Sequence, residues 1–299
     1  MRLSTFTLNA VLLAGCQPRF DENEGLVTTA RVLAVKSEPA EVKPGASLAL
    51  TALVAVPPSS AGAPRPTWCF CNAPKPPIED NAVSSACLDA TSLLPAGEGP
   101  SIETQIPGNA CVLFGPNAAA SGLRPRDPDG TGGYFQPVRL DLRSAVPTFH
   151  LQRVSCPLAD ASSDIATQFA AAYRPNQNPR LMPLVAAVDH QAIPLDPLPK
   201  GARIQLQVSW SADDAESYAY FERSTQSVIT RREAMRVAWY ASSGKLDAEA
   251  TGRAENDLEV TTDNVWTSPD SPGAVKFWVV LRDSRGGTDF AEYDVSVLP

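Results

Sequence analysis

The chain has 299 residues, enough for about two domains of ordinary size, and a formal net charge of −8. This acidic balance excludes the basic surface that nucleic-acid binding requires. The 28 prolines argue against an all-helical bundle because proline breaks helix interiors, and a hydrophobic content of 43% is too high for a disordered chain. The composition therefore predicts a folded, loop-rich and mainly β protein that has no nucleic-acid partner.

The first sixteen residues have the parts of an export signal. Arg2 supplies a positive charge and residues 6–13 form an apolar run, which is shorter than the ~20 apolar residues of a membrane-spanning helix. The run ends in Leu13, Ala14, Gly15 and Cys16. This order resembles the lipobox of bacterial lipoproteins, which implies cleavage after residue 15 and a lipid on Cys16. The alternative is an ordinary cleaved signal with an incidental cysteine.

Residues 16–26 are predicted to be the lipid anchor and a flexible tether. Two or more acyl chains hold a protein stably on a bilayer, so the membrane is an expected partner. The segment from residue 17 to residue 25 is polar and acidic, with no strand periodicity. Residue 17 is Gln, whereas Asp at this place retains lipoproteins in the inner membrane. The resemblance therefore implies an outer-membrane location, facing the periplasm or the cell surface.

A strand pattern begins at residue 31. A short apolar strand over residues 31–35 is followed by Pro39, a Gly45 turn and a longer segment, residues 47–56, with an apolar residue at every second position. Period-two alternation is typical of a half-buried strand. An aromatic strand containing Trp68 follows. After it, residues 72–143 form a long and irregular insertion.

The remaining cysteines all fall in this first half: Cys69, Cys71, Cys87, Cys111 and Cys156. An exported protein reaches an oxidising compartment, where disulfides are expected. Five cysteines with two bridges allow fifteen arrangements. We predict the pairs Cys71–Cys87 and Cys111–Cys156, with Cys69 free and buried beside Trp68. A zinc or redox site is the alternative, but the Cys-Phe-Cys spacing and the presence of only two histidines do not favour it.

A glycine-rich segment follows the fourth of these cysteines. Asp127, Asp129 and Thr131 stand at alternate positions before Gly132, which resembles the start of a calcium loop. Val138 occupies the place where a full EF-hand loop would have Glu. We therefore expect a turn that leads into a strand over residues 134–142, with a weak calcium site as the alternative and no other cofactor.

One helix is expected before the second half. Ser163 can cap it, and Ile165, Phe169 and Tyr173 recur on one face, so the helix is placed near residues 163–173. The polar segment 174–179 contains two prolines and is interpreted as the domain boundary. A second short helix is expected near residues 215–234.

The second half repeats the first pattern. A short apolar strand, residues 184–188, precedes a proline-rich link, a Gly201 turn and an alternating strand over residues 203–210. An aromatic strand containing Trp239 follows, and a buried strand over residues 275–281 opens a terminal hairpin. A tryptophan on the third strand is a hallmark of immunoglobulin-like sandwiches.

These features resemble the Ig-like, PKD-like and cadherin-like modules of bacterial surface proteins. The resemblance covers residues 181–299 and concerns the fold, not an activity. It implies a mainly β protein with two Ig-like antiparallel β-sandwich domains in tandem, and a disulfide-braced insertion in the first. The predicted organisation is a signal peptide (1–15), the anchor and tether (16–26), a first domain (27–178) and a second domain (179–299).

Catalytic motifs are absent from the sequence. It contains neither a Gly-x-Ser-x-Gly elbow nor a His-Glu-x-x-His zinc motif, and His150 and His190 are single residues that are expected to be packed or on the surface. We assign no catalytic residue. The expected function is lipid-anchored, non-catalytic binding of a protein or glycan partner. The alternatives are an accessory subunit of a secretion or motility assembly and an unrecognised hydrolase.

Overall fold

Strands dominate the structure. A computed structural model describes residues 24–58, 60, 62–74, 83–116, 129–142 and 146–298. Within these residues the chain forms twenty strands, three short α-helices and one 3-10 helix (Ala212–Asp214). The prediction of a mainly β protein is therefore confirmed. The signal peptide, Cys16 and Asp127 lie outside the described residues.

Eight strands build the N-terminal unit, which spans residues 31–155. They are β1 (Arg31–Glu38), β2 (Glu41–Val42), β3 (Ser47–Ala55), β4 (Thr67–Cys71), β5 (Leu93–Glu98), β6 (Ser101–Gln105), β7 (Gly133–Asp141) and β8 (Thr148–Ser155). One sheet has the order β1-β3-β6 and the other β2-β8-β7-β4-β5. All neighbours pair antiparallel except β2 and β8. Inward side chains of both sheets form one core around Trp68 and Leu50.

Twelve strands build the C-terminal unit, which spans residues 185–298. They are β9 (Val185–Val188), β10 (Gln191–Ile193), β11 (Leu198–Pro199), β12 (Arg203–Ser209), β13 (Ser217–Glu222), β14 (Ser227–Arg232), β15 (Met235–Ala241), β16 (Lys245–Leu246), β17 (Ala250–Arg253), β18 (Thr261–Thr267), β19 (Gly273–Asp283) and β20 (Thr288–Leu298). The facing sheets are β10-β9-β12-β18-β16 and β11-β20-β19-β15-β17. No sheet combines strands from both units among the described residues.

The repeated sequence pattern produces the same local structure twice. In each unit a two-residue strand, β2 or β11, pairs in parallel with the last strand of the unit. Gly45 and Gly201 then adopt φ values of 76° and 60°, which favour glycine, before the longer strand begins. The core of the C-terminal unit forms around Trp239 and Trp266, and the Trp266 ring packs edge-on against Phe277 at 4.8 Å between ring centroids.

The insertion of the N-terminal unit is more regular than its sequence indicates. Its described residues contain β5, β6, β7 and two short helices, α1 (Ser85–Leu88) and α2 (Ala110–Phe114). The disulfides Cys71–Cys87 and Cys111–Cys156 attach these helices to β4 and to the end of β8, and Cys69 is free and half-buried. Both pairs are those expected from the sequence, and Cys69 is free as expected, but its predicted burial is wrong because its side chain lies on the face of β4 opposite the buried Trp68 and Phe70.

The predicted helix is present, with one correction. Helix α3 covers Ser163–Ala172, and its N-cap is Ser162, whose hydroxyl accepts the Ile165 amide hydrogen. Ser163 was the wrong cap because its own backbone is already helical. No helix in the described part of the chain has the length and apolar character needed to cross a membrane.

The helix expected near residues 215–234 is wrong, because β13 and β14 form a hairpin there. Ala219 and Phe221 point to one face, and Tyr218 and Tyr220 to the other, so the segment has strand periodicity. Ala219 and Phe221 pack on Phe169 of α3. The hairpin therefore links the C-terminal unit to the segment that follows the N-terminal unit.

The two units share an apolar interface. A buried cluster contains Val27, Leu33, Ala34, Leu53 and Ala55 together with Trp278 and Val280 of β19. In addition, Leu26 forms a parallel bridge with Ala241, and the Val27 amide donates to the Ala241 carbonyl at 2.8 Å. Residues 24–26, expected to be the end of the tether, therefore lie on the C-terminal unit.

Candidate functional site

A cleft lies where the N-terminal unit meets the β19–β20 hairpin. It has a volume of about 350 Å³, and its walls are residues 32–35 of β1, residues 148–151 of β8, Phe135 and the hairpin turn. Ligand sites commonly have this size and commonly lie between domains. The titratable side chains on its walls are His150, Arg282 and Asp283.

His150 is held in the neutral state. Its Nε2 lies 3.3 Å from Oε1 of Gln152, the adjacent inward residue of β8. Burial lowers the pKa of the imidazole to about 4, and the positive charge of Arg282 contributes to the lowering. The imidazole therefore offers polar ring atoms to the cleft without a charge at neutral pH.

Arg282 brings a positive charge to the cleft. Its Nη2 donates to the Leu33 carbonyl at 2.9 Å, and its side chain also bonds to Tyr240. Burial lowers the pKa of the guanidinium. Among the described residues, no carboxylate forms an ion pair with Arg282.

The Asp283 carboxylate accepts hydrogen bonds from the hairpin turn and from residues 156–184, the connecting segment between the two units. It accepts the Arg285 and Gly287 amides at 2.8 and 2.9 Å and the Asn176 side-chain amide at 3.2 Å. Burial nonetheless raises the pKa of this carboxyl group. Gly287 is required here, because a Cβ at this position would lie 2.0 Å from Asp283 Oδ2.

A buried ion cluster lies behind the turn. Arg285, only 1% exposed, donates to Glu233 at 2.6 Å and to Glu216 at 2.8 Å, and its guanidinium lies 4.7 Å from the Tyr218 ring centre. Burial, followed by the charge of Asp283, raises the pKa of Glu233 to about 7. Arg285 also donates to the Arg174 carbonyl at 3.0 Å, which ties the connecting segment to the C-terminal unit.

A second buried pair occupies the N-terminal side. Arg153 donates to Glu41 at 2.9 Å, and both side chains are almost completely inaccessible. Glu41 also accepts the Asn176 amide at 2.9 Å and the Tyr173 hydroxyl. Desolvation raises the pKa of Tyr173. Asn176 thus bonds to Glu41 through its backbone and to Asp283 through its side chain, so it connects the two units.

The residues of the expected calcium loop are only partly described. Asp127 lies outside the described residues. Asp129 Oδ1 accepts the Thr131 amide at 2.6 Å, and the Thr131 hydroxyl accepts a hydrogen bond from Arg153 at 3.1 Å. In the part of the chain that the structure covers, no group of three His, Cys, Asp or Glu side chains could hold a metal ion. The two described residues act here in a turn.

Comparisons with known proteins give weak similarities. No protein-family model and no curated protein matches the chain. The adhesin InvE of Yersinia pseudotuberculosis is 11% identical over 89% of this chain and 58% of its own, with a TM-score of 0.24. The Hoc outer capsid protein of bacteriophage RB49 is 11% identical over 90% of this chain and 59% of its own, with a TM-score of 0.20.

The α-2-macroglobulin of Escherichia coli is 10% identical over 91% of this chain and 22% of its own, with a TM-score of 0.23. The chain thus spans about three-fifths of the first two structures and about a fifth of the third. Similarities at these TM-scores carry no inference about function, which must come from the residues of this chain.

Proposed function

We propose that the chain is a lipid-anchored, non-catalytic protein of the outer membrane that binds a protein or glycan partner with two β units held as one rigid body. The observation that carries the proposal is the buried polar connection between the units, centred on Asn176. Buried charges are tolerated in proteins only when they are paired and hydrogen-bonded. Separating the units would break the hydrogen bonds from Asn176 to Glu41 or to Asp283 and would expose these buried carboxylates to water, which restrains the relative orientation of the units.

A fixed orientation favours binding. Loops on a rigid framework present recognition residues at little entropic cost. Inter-domain contacts within a chain usually permit motion unless they are large and apolar. Here the apolar cluster around Trp278 and the α3–hairpin contact both add to the polar connection. The loops of both units therefore form a single preorganised surface.

The buried titratable groups support a structural role for the polar clusters. Arg153 donates directly to Glu41, and Glu233 accepts hydrogen bonds from Arg285 and from the Glu216 amide. Glu41, Arg153 and Glu233 do not line the cleft. A catalytic pair would have to face a cavity that a substrate can enter. The hydrogen bonds of these groups are instead directed at the connecting segment and the hairpin.

The lipid anchor is supported by the Leu13-Ala14-Gly15-Cys16 sequence. Seven residues separate Cys16 from Glu24, and fully extended they span at most ~25 Å. Glu24 donates its backbone amide to Glu249 of the C-terminal unit at 2.8 Å. The anchored protein would therefore keep the part of the C-terminal unit around Glu249 close to the bilayer.

Fractionation and crosslinking of intact cells test the proposal. Cys16→Ser is expected to move the protein from the membrane fraction to the soluble fraction, whereas Cys69→Ser, the matched control, leaves it in the membrane. In wild type and in the control, crosslinking is expected to retain the same protein or glycan partner. Equal membrane partitioning of both variants contradicts the anchor, and purification of the chain without any crosslinked partner contradicts the binding function.

A further inference from the structure

Arg282 and Asp283 both line the cleft between the units, but only the Asp283 carboxylate is already held by several hydrogen-bond donors. The two bonds of Arg282, to the Leu33 carbonyl and to Tyr240, use only part of the five N–H donors of a guanidinium. A partly buried cation is costly to maintain without a counter-charge. Arginines elsewhere in the protein interior, such as Arg153 and Arg285, have carboxylate partners.

We infer that this cleft binds a small organic carboxylate, with Arg282 as the anion-binding residue and His150 as a second polar contact. This small-molecule site goes beyond the protein or glycan binding proposed above and does not depend on it. The two are measured separately, so either can fail without the other.

The composition of the walls determines the ligand class. Phe135, Phe149 and Leu151 supply apolar surface for the body of a ligand, and a volume of about 350 Å³ admits a single small ring or a short branched chain. Arginine binds carboxylates through charge-assisted, often bidentate, hydrogen bonds. An inorganic anion would satisfy the guanidinium but would leave the apolar walls uncovered.

The other groups facing His150 and Arg282 allow an anion to enter. Strand β1 contributes only apolar side chains, residues 32–35, and β7 contributes Phe135. The nearest wall carboxylate, Asp283, already accepts hydrogen bonds from Arg285, Gly287 and Asn176. From β15, Arg236 adds positive charge near the guanidinium. The Asp283 carboxylate is thus already engaged, whereas Arg282 has no carboxylate partner among the described residues, which favours a negative ligand beside the guanidinium.

Calorimetric titration of the full chain in detergent tests the inference, with benzoate, its neutral analogue benzamide and inorganic phosphate as probes. Benzoate is expected to bind at least about tenfold more tightly than either of the others. Arg282→Met is expected to weaken benzoate binding by about tenfold or more. Arg203→Met is the matched control, because Arg203 is exposed, pairs with Asp247 and does not line the cleft.

NMR spectroscopy of the wild-type protein tests the inference independently of whether Arg282→Met folds. Benzoate is expected to shift the imidazole NMR signals of His150 in the wild-type protein and to raise the pH at which they titrate. His190 is exposed, does not line the cleft and serves as the internal reference. Unchanged His150 signals at saturating benzoate would overturn the inference. So would equal binding of benzoate and benzamide, or phosphate binding without benzoate binding.

Discussion

Replacing Arg285 with Met tests how much the buried ion cluster contributes to stability. The guanidinium is 1% exposed and holds Glu233 at 2.6 Å, Glu216 at 2.8 Å and the Arg174 carbonyl at 3.0 Å. Methionine retains most of the apolar stem of the side chain, so the perturbation removes the charge and its hydrogen bonds with little loss of packing.

The expected loss is about 3 kcal/mol at pH 7. Removing one partner of a buried ion pair costs ~3–5 kcal/mol because the other charge is left uncompensated. The pKa of Glu233 is already raised to about 7, and the loss of Arg285 raises it further. Glu233 therefore takes up a proton in the variant, which places the cost near the lower end of that range.

Urea unfolding followed by tryptophan fluorescence measures the effect. Arg203→Met is the matched control, because Arg203 pairs with Asp247 at 2.7 Å but the two side chains are 65% and 39% exposed. An exposed pair contributes less than ~1 kcal/mol. If both variants lose the same small free energy of unfolding, the buried cluster does not hold the structure together as described.

Four further predictions concern pH, oxidation state and the interface. The pKa of His150 is about 4 in the folded protein and 6.5 ordinarily, so the free energy of unfolding decreases as the pH falls from 6.5 to 4. In urea unfolding, His150→Gln should therefore lose less stability at low pH than the wild type. Equal losses would contradict the burial of the imidazole. Glu233 has the opposite effect: its pKa is about 7 in the folded protein, so the free energy of unfolding decreases as the pH rises from 4.5 to 7. In Glu233→Gln, this decrease in the free energy of unfolding should be smaller than in the wild type. Thiol titration of the unfolded, unreduced mature protein should detect only Cys69, and any larger number refutes the two disulfides. Trp278→Ala should cost ~3–5 kcal/mol, as for a core residue, and a cost below ~1 kcal/mol would mean that the two units do not cover this side chain.

Local patterns account for much of the fold. Period-two alternation locates β3 and β12, and the tryptophans at positions 68 and 239 lie in the cores as their strand context predicts. The hairpin β13–β14 was mistaken for a helix, although Tyr218 and Tyr220 alternate with Ala219 and Phe221. The charged residues around this short segment make its alternation hard to recognise. The packing of Ala219 and Phe221 on α3 stabilises the strand conformation.

One feature of the sequence indicates the contact between the units. Strand β19 is apolar at almost every position from Val275 to Leu281, with Trp278 and Val280 on the face opposite Phe277. A continuous apolar run indicates a strand covered on both faces. The sequence does not reveal what covers the second face, because β1 lies more than 200 positions away.

The polar connection could not be predicted from residue spacing. Glu41 and Arg153 are separated by 112 positions, and Asn176 and Asp283 by 107. The first pair forms only when β2 and β8 come together in the folded N-terminal unit, and the second only when Asn176 reaches the C-terminal unit. Glu and Arg are also more often exposed than buried. Arg282 and His150 belong to different units, so the cleft likewise exists only in the assembled chain. The lipid anchor, in contrast, is a local motif and stays a prediction from sequence.

The proposed function requires that the two units keep one orientation in solution. Residual dipolar couplings of backbone amides in the aligned protein report the orientation of each unit separately. A single alignment tensor is expected to fit the couplings of residues 31–155 and of residues 185–298. Two tensors of clearly different magnitude would show independent motion of the units and would contradict the rigid body on which the proposed function depends.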